Sequence, residues 1–151
     1  MRRRRLVIVL AGLGALAVAL LLGGVALTRH PKTALEAWRA ADQTRFGARP
    51  GTVTLASGER IAYVELGPRD GPVLALVHGL RGESTVMLPL AAALSEAGYR
   101  IVAPDFPGHG RSDPPVQPLT IGRASEVVLE VLDRLGTPKP RAWIGHSMGG
   151  W

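Results

Sequence analysis

From residue 51 onward, short apolar runs that favour strands alternate along the chain with longer runs that have helical spacing. Residues 73–77 are continuously apolar, which is typical of a strand buried on both faces of a sheet. Helices that lie between successive strands build parallel pairs with right-handed crossovers. The alternation therefore predicts an α/β fold with a mostly parallel sheet and helices on both of its faces.

Glycine and capping residues set the limits of the predicted elements. Ser57 and Gly58 join two strands as a hairpin, Gly98 ends one helix, and Thr120 caps another helix that Gly136 ends. The predicted strands cover residues 52–56, 60–66, 73–77, 100–103 and 142–144, and the predicted helices cover residues 84–97 and 121–135.

Four arginines at positions 2–5 precede an apolar stretch, residues 6–28, that has no charged side chain. A helix over this stretch would be about 34 Å long, against a hydrocarbon core of about 30 Å, so it is long enough to span a bilayer. A cleavable signal has a shorter apolar region of about 7 to 15 residues, although residues 24–26 could serve a signal peptidase. Because positive residues stay in the cytoplasm, we expect a membrane anchor with the domain outside the cytoplasm, or alternatively secretion after cleavage.

The excess positive charge lies beside the apolar stretch. The chain has 18 Lys and Arg against 12 Asp and Glu, and six of the basic residues flank residues 6–28: Arg2, Arg3, Arg4, Arg5, Arg29 and Lys32. The remainder is balanced, so it offers no basic face and we expect no nucleic-acid partner. The chain has no cysteine, which excludes disulfides, a cysteine nucleophile and thiolate metal sites.

Composition divides the chain into four parts. A basic end, residues 1–5, and the apolar segment, residues 6–28, are followed by a linker over residues 29–50 with a short helix that ends near Arg45. Pro50 lies between glycines at positions 47 and 51 and breaks the chain there. The predicted domain covers residues 51–151.

A Gly-His-Ser-Met-Gly motif, residues 145–149, directly follows the last predicted strand. In a sharp strand-to-helix turn the serine oxygen is exposed, and Gly145 and Gly149 lack the Cβ atoms that would clash beside it. The helix that begins here points its first amides, including that of Met148, at negative charge on a bound carbonyl oxygen. The motif predicts that Ser147 is a nucleophile, although so short a motif also arises by chance in a chain with 19 glycines.

A second loop, residues 78–82, follows the buried strand over residues 73–77 and reads His-Gly-Leu-Arg-Gly. A reacting carbonyl oxygen needs two amide donors, and Gly79 permits a close approach at this turn. The amides of Leu80 and Met148 are therefore candidates for an oxyanion hole. A simple turn that ends the strand explains His78 and Gly79 equally well.

The loop over residues 105–112 begins with an acidic residue, Asp105, and contains two glycines. Asp and Ser side chains hydrogen-bond to nearby backbone in tight turns, where glycines take up positive φ. We therefore expect Asp105 to be structural rather than a catalytic acid.

In their order and spacing, the His-Gly pair, the Asp105 loop and the serine motif resemble the N-terminal half of an α/β-hydrolase. The resemblance covers about residues 51–151. It implies Ser147 as nucleophile and Leu80 and Met148 as oxyanion donors. It also implies the Asp105 loop as part of the active-site architecture, together with the loop residues His78, Gly79, Gly145 and Gly149. Dehalogenases and epoxide hydrolases are similar to this chain but carry Asp at the position of Ser147.

The resemblance also implies residues that this chain does not contain. In α/β-hydrolases the catalytic acid and the general-base histidine follow later strands, whereas this chain stops at Trp151. None of its histidines, at positions 30, 78, 109 and 146, resembles that base, and we expect the ring of His146 to point away from Ser147. We expect an incomplete chain that is inactive alone, and insoluble or molten without its anchor, because its last strand would be an exposed apolar edge.

The expected function is hydrolysis of small carboxylic esters or related acyl compounds, with no cofactor and no metal, and with membrane contact through residues 6–28. Cofactor-free haloperoxidases and carbon-carbon bond hydrolases have motifs similar to those of this chain, so both remain alternatives within the enzyme class. A non-catalytic, membrane-tethered fragment that binds through the same scaffold is the alternative of another class. A reading frame that continues past Trp151 into strands with Asp or Glu and then His would favour the enzyme.

Overall fold

The computed structural model describes residues 18, 21, 23–25, 28–137 and 139–151. The predicted membrane segment, residues 6–28, lies mostly outside these ranges. Within them, no helix combines the length and the apolar character that crossing a membrane requires.

The first helix, α1, spans Pro31–Arg45 and ends where the sequence predicted. The chain divides into two compact units between Ala40 and Ala41, inside this helix. On the first unit's part of α1, Glu36 and Arg39 form an ion pair at 2.7 Å. The domain limits predicted at residues 5, 28 and 50 stay predictions.

The second unit, residues 41–151, contains a five-stranded sheet with two helices. The strands are β1 (Arg49–Thr54), β2 (Arg60–Leu66), β3 (Val73–Val77), β4 (Arg100–Pro104) and β5 (Ala142–Gly145), and the helices are α2 (Leu88–Glu96) and α3 (Ile121–Arg134). The order across the sheet is β1-β2-β4-β3-β5. This topology confirms the α/β class.

The sheet is mixed, and the prediction of a mostly parallel sheet is wrong for the part described. β3 is parallel to β4 and β5, whereas β2 is antiparallel to β1 and β4. Parallel strands need a crossover of about a dozen or more residues between them. The hairpin turn after β1 and residues 67–72 after β2 are both too short for that, so the chain reverses direction at each.

Helices cover both faces of the sheet, as predicted. On one face, Leu74 of β3 packs in a buried cluster with Leu88 of α2. On the other face, Ala75 and Val77 of β3 pack with Val128 of α3. Successive side chains of a strand point to opposite faces, so the continuous apolar run of β3 contributes to both layers of the core.

The first strand begins earlier than predicted, because Arg49–Thr54 includes the Pro-Gly pair that was expected to break the chain. Proline is tolerated in an edge strand, where its nitrogen faces no partner strand. Gly51 pairs with Tyr63 of β2, whose ring lies where a Cβ on Gly51 would be. The aromatic ring covers the glycine and supplies the packing that glycine lacks.

The predicted helices form with small changes at their first turns. A 3₁₀ turn, Ser84–Met87, precedes α2, and Pro89 lies in the first turn of α2, where proline is tolerated. The Thr120 hydroxyl accepts a hydrogen bond from the Arg123 amide at 3.1 Å, which confirms the predicted cap of α3.

A buried ion pair ties the β1–β2 hairpin to α3. The Arg123 guanidinium lies 2.8 Å from a Glu59 carboxylate oxygen, and the Glu59 side chain is 1% exposed. Glu59 also accepts hydrogen bonds from the Ser57 hydroxyl at 2.7 Å and from the Val116 amide at 3.0 Å. These bonds fix the loop between β4 and α3 against the hairpin.

Candidate active site

Ser147 lies at the sharp turn that follows β5. The His146 amide still donates to the Val77 carbonyl at 2.9 Å, and Ser147 then takes a φ of 52°. This left-handed conformation is rare for residues other than glycine, costs on the order of 1 kcal/mol, and clusters at functional sites. A 3₁₀ turn, Ser147–Gly150, begins at the serine, and the Ser147 side chain is exposed.

Gly145 and Gly149 occupy positions where a side chain has no room. A Cβ on Gly145 would overlap the carbonyl group of Gly149. A Cβ on Gly149 would lie 2.6 Å from the His78 carbonyl oxygen and closer still to that of Val77. The turn is therefore pressed against the end of β3, and both positions require glycine.

The loop after β3 meets the turn at Ser147, because β3 and β5 are parallel neighbours and their carboxyl ends lie at the same edge. A Cβ on Gly79 would lie 3.1 Å from the Ser147 Cβ and 3.0 Å from His146 Nδ1. Among the described residues, neither the Leu80 amide nor the Met148 amide donates a hydrogen bond. An oxyanion hole needs two amides that are available to donate hydrogen bonds beside the nucleophile, and the Leu80 and Met148 amides lie on the two loops that meet at Ser147.

His78 is fully buried and has both ring nitrogens engaged. Nε2 accepts a hydrogen bond from the Phe106 amide at 3.0 Å, so the proton is on Nδ1, which lies 2.8 Å from the Gly79 carbonyl oxygen. Burial lowers the pKa of His78, because it disfavours the charged imidazolium. The ring joins the loops after β3 and β4, and both of its nitrogens are engaged with backbone groups rather than with Ser147.

The buried neutral ring predicts acid lability. In the folded protein the pKa of His78 lies below its ordinary value. The free energy of unfolding therefore contains the full contribution of the neutral ring above about pH 6.5, and this contribution falls as the pH drops toward the folded pKa. The loss should reach about 1.4 kcal/mol per pH unit in that window. His78→Gln retains an acceptor for the Phe106 amide but does not titrate. Urea unfolding at pH 7 and pH 5 measures the fall in the free energy of unfolding for the wild type and for His78→Gln. An equal fall in both proteins would contradict the prediction.

Asp105 is buried and bound to backbone amides. One carboxylate oxygen accepts from the Ser84 amide at 2.5 Å and the other from the Arg111 amide at 3.1 Å. Gly110, with a φ of 55°, passes so close that a Cβ there would overlap the carboxylate. Asp105 therefore joins the loop after β4 to the turn before α2, in agreement with the structural role predicted.

No histidine within residues 41–151, as far as the structure describes them, hydrogen-bonds to Ser147. Besides His78, His109 has its Nδ1 3.1 Å from the Pro107 carbonyl, and its ring lies 5.4 Å from that of His78. No group of three or more His, Cys, Asp or Glu residues that could hold a metal is found among the described residues.

A cavity of about 470 Å³ opens between α3 and β5. Its walls include Val128, Trp143, Met148 and Trp151. Trp143 is 48% exposed and Trp151 is 85% exposed. Ser147 and Leu80 are not among the residues that line this cavity, whereas Met148 and both glycines of the turn are.

Sequence reasoning missed one feature of the loop after β3. Arg81 has a φ of 60°, which makes it, with Ser147, one of two non-glycine residues with positive φ in the described part of the chain. An Arg-Gly pair gives no sign of this, because glycine at position 82 is the expected site of a positive φ.

The family model described as the alpha/beta hydrolase fold matches residues 72–151. This range contains β3, β4, β5 and the three loops at their carboxyl ends. The chain therefore belongs to the α/β-hydrolase fold family.

Among curated relatives, the chain is 41% identical over 93 residues to the dihydrolipoyllysine-residue acetyltransferase component of the acetoin cleaving system of Pseudomonas putida. It is 31% identical over 106 residues to epoxide hydrolase A of Mycobacterium tuberculosis. These matches cover 62% and 69% of this chain, but only 25% and 33% of the relatives. The chain thus spans a quarter to a third of the length of these two proteins.

Among solved structures, a membrane phospholipase A, described as a bacterial virulence factor, matches with a TM-score of 0.73 and 30% identity. The match covers 93% of this chain and 44% of that one. Since the fifty residues before Gly51 make up a third of the chain, the match includes part of that segment as well as the sheet.

Proposed function

We propose that this protein is a serine hydrolase that acts on carboxylic esters, with Ser147 as its nucleophile. The observation that carries the proposal is the backbone at Ser147, with a φ of 52° between two glycines that have no room for a side chain. A strained conformation held by crowded surroundings is typical of a residue placed for chemistry.

In the proposed reaction the Ser147 oxygen bonds to the acyl carbon of the ester. The negative carbonyl oxygen accepts hydrogen bonds from the Leu80 and Met148 amides, each worth about 10²- to 10³-fold in rate. The general-base histidine that the resemblance implies after later strands would take the serine proton and give it to the departing alcohol, and water would then release the acid from the acyl-enzyme with the same base.

The residue type at position 147 favours ester hydrolysis over the reactions of other family branches. Several relatives are epoxide hydrolases or haloalkane dehalogenases. The resemblance to those branches implies Asp at the nucleophile position, where this chain has Ser. A serine forms an acyl-enzyme ester, which suits acyl transfer.

We further propose that residues 6–28 anchor the protein with residues 29–151 outside the cytoplasm. The charge pattern, with arginines at positions 2–5 and an uncharged stretch behind them, supports this orientation. The likeness to a membrane phospholipase A extends into the segment before Gly51. Because that protein is described as a phospholipase, the likeness supports a lipid ester as substrate. Release by carbonate washing, or protection from protease added to spheroplasts, would contradict this placement.

The substrate class is tested by assaying the full-length protein, which includes any residues that the reading frame encodes after Trp151, on matched panels of carboxylic esters, epoxides and haloalkanes. We expect acid release from the esters and no diol or halide from the other two panels. Diol or halide release without ester hydrolysis would place the protein in another branch. A folded protein that turns over none of them would favour the non-catalytic, membrane-tethered alternative.

A further inference from the structure

The turn after β3 carries an arginine at a position that favours glycine. Arg81 is the third residue of a turn that the Gly82 amide closes onto the Gly79 carbonyl at 3.0 Å, and its φ is 60°. A positive φ at this position is typical of a type II turn, where glycine or asparagine is usual. Local backbone preference therefore does not explain the arginine.

Arg81 has no partner among the described residues, whereas several arginines of the same unit are paired. The ion pairs of this unit include those of Arg49 and Arg100 with Glu65, Arg60 with Asp113, Arg123 with Glu59, and Arg134 with Glu130. Within the described ranges, no hydrogen bond, ion pair or ring contact involves the exposed guanidinium of Arg81.

The position of Arg81 in the sheet separates it from two other unpaired arginines. Arg69 and Arg141 have no carboxylate partner among the described residues. They precede β3 and β5 and so lie at the amino ends of these strands, whereas Ser147 lies at the carboxyl ends. Arg81 follows β3 at the edge where Ser147 follows β5. An unpaired cation therefore stands at the edge that carries the nucleophile.

The distance from Arg81 to the reacting centre is short. Gly79, two residues away, approaches Ser147 closely enough that a Cβ on it would lie 3.1 Å from the serine Cβ. Two residues of chain span no more than about 7 Å. The long Arg81 side chain can thus reach a group that is joined to an ester bound at Ser147.

We propose that Arg81 binds the phosphate of a glycerophospholipid while Ser147 attacks an acyl ester of the same molecule. The inference rests on the proposed ester-hydrolase function and names its substrate class. A guanidinium binds phosphate oxygens in a bidentate manner and is always charged. In a glycerophospholipid the phosphate and the acyl esters share one three-carbon glycerol, so a cation beside the oxyanion loop can contact the first while the serine attacks the second.

The test compares two esters that differ only in the phosphoglycerol headgroup. Dioctanoyl phosphatidylglycerol and dioctanoylglycerol are presented to the full-length protein in the same detergent micelles. Arg81→Asn removes the cation but tolerates the positive φ. We expect it to lower kcat/KM on the phospholipid by about 10- to 100-fold, mainly through KM, as for a lost hydrogen bond to a charged group.

Three comparisons make that result specific. On dioctanoylglycerol, Arg81→Asn should change kcat/KM by no more than about twofold. Arg81→Lys should keep part of the preference for the phospholipid, because it keeps the charge but not the bidentate geometry. Arg69→Asn, the matched control at the opposite edge, should change neither activity.

Two results would overturn the inference while leaving the function intact. Equal losses on both esters would mean that Arg81 supports the oxyanion loop and not the phosphate, and no loss on either would mean that the guanidinium is not used. A folded protein that hydrolyses neither ester would instead overturn the proposed function, and this inference with it.

Discussion

Replacing Ser147 by alanine is expected to lower kcat for ester hydrolysis by about 10⁴- to 10⁶-fold, because removing the nucleophile of a serine hydrolase leaves only what the oxyanion hole and substrate binding supply. The free energy of unfolding should change little, because alanine keeps the same Cβ and the exposed hydroxyl forms no hydrogen bond to a described residue. Initial rates on a chromogenic ester and urea unfolding of the same preparations measure both quantities.

Ser125→Ala is the matched control for this prediction. Ser125 is an exposed serine of α3 whose hydroxyl donates only to the Ile121 carbonyl at 3.0 Å. Its loss should leave kcat within about twofold, as for most surface substitutions. If Ser147→Ala were as active as Ser125→Ala, Ser147 would not be the nucleophile.

Gly145→Ala is expected to destabilise the fold by about 3 kcal/mol or more and to abolish activity together with stability. The added Cβ would overlap the carbonyl group of Gly149, which is backbone and cannot rotate away, so β5 or the turn after it must shift. Urea unfolding gives the loss of stability, and ester hydrolysis at low temperature gives the activity of the fraction that remains folded.

Gly122→Ala separates this crowding from the general effect of adding a methyl group. In the first turn of α3, the atom nearest to a Cβ on Gly122 is the Thr120 hydroxyl oxygen at 3.9 Å. Alanine should stabilise this helix by about 0.5–1 kcal/mol. A Gly145→Ala protein with the stability and activity of the wild type would show that the turn is not crowded as described.

The strands could be predicted where burial alone decides them. The limits predicted for β2 and β3 match the structure, because their apolar residues are confined between turn residues. β1 was misplaced because Pro50 and Gly51 are poor strand residues by themselves. Their place in the sheet depends on being at its edge and on the Tyr63 ring, and neither is visible in a local pattern.

The active-site region could be predicted in its parts but not in its contacts. The glycines around Ser147 indicate a sharp turn, and a cap at Thr120 follows from local preference. The tautomer of His78 depends on the Phe106 amide, which is 28 residues away, and the partners of Asp105 come from two separate loops. The positive φ of Arg81 follows from the closure of its turn beside Ser147, so no sequence signal indicates it.

The identity of the nucleophile is tested most directly by a fluorophosphonate probe, which phosphonylates an activated serine. After labelling of the full-length protein, trypsin should cut after Arg141 and release a peptide that begins at Ala142 and contains Ser147. We expect the adduct mass on this peptide, located at Ser147 by fragmentation, and no adduct on Ser125. An adduct at a different serine, or none on a folded protein that hydrolyses esters, would contradict the assignment of Ser147 as the nucleophile.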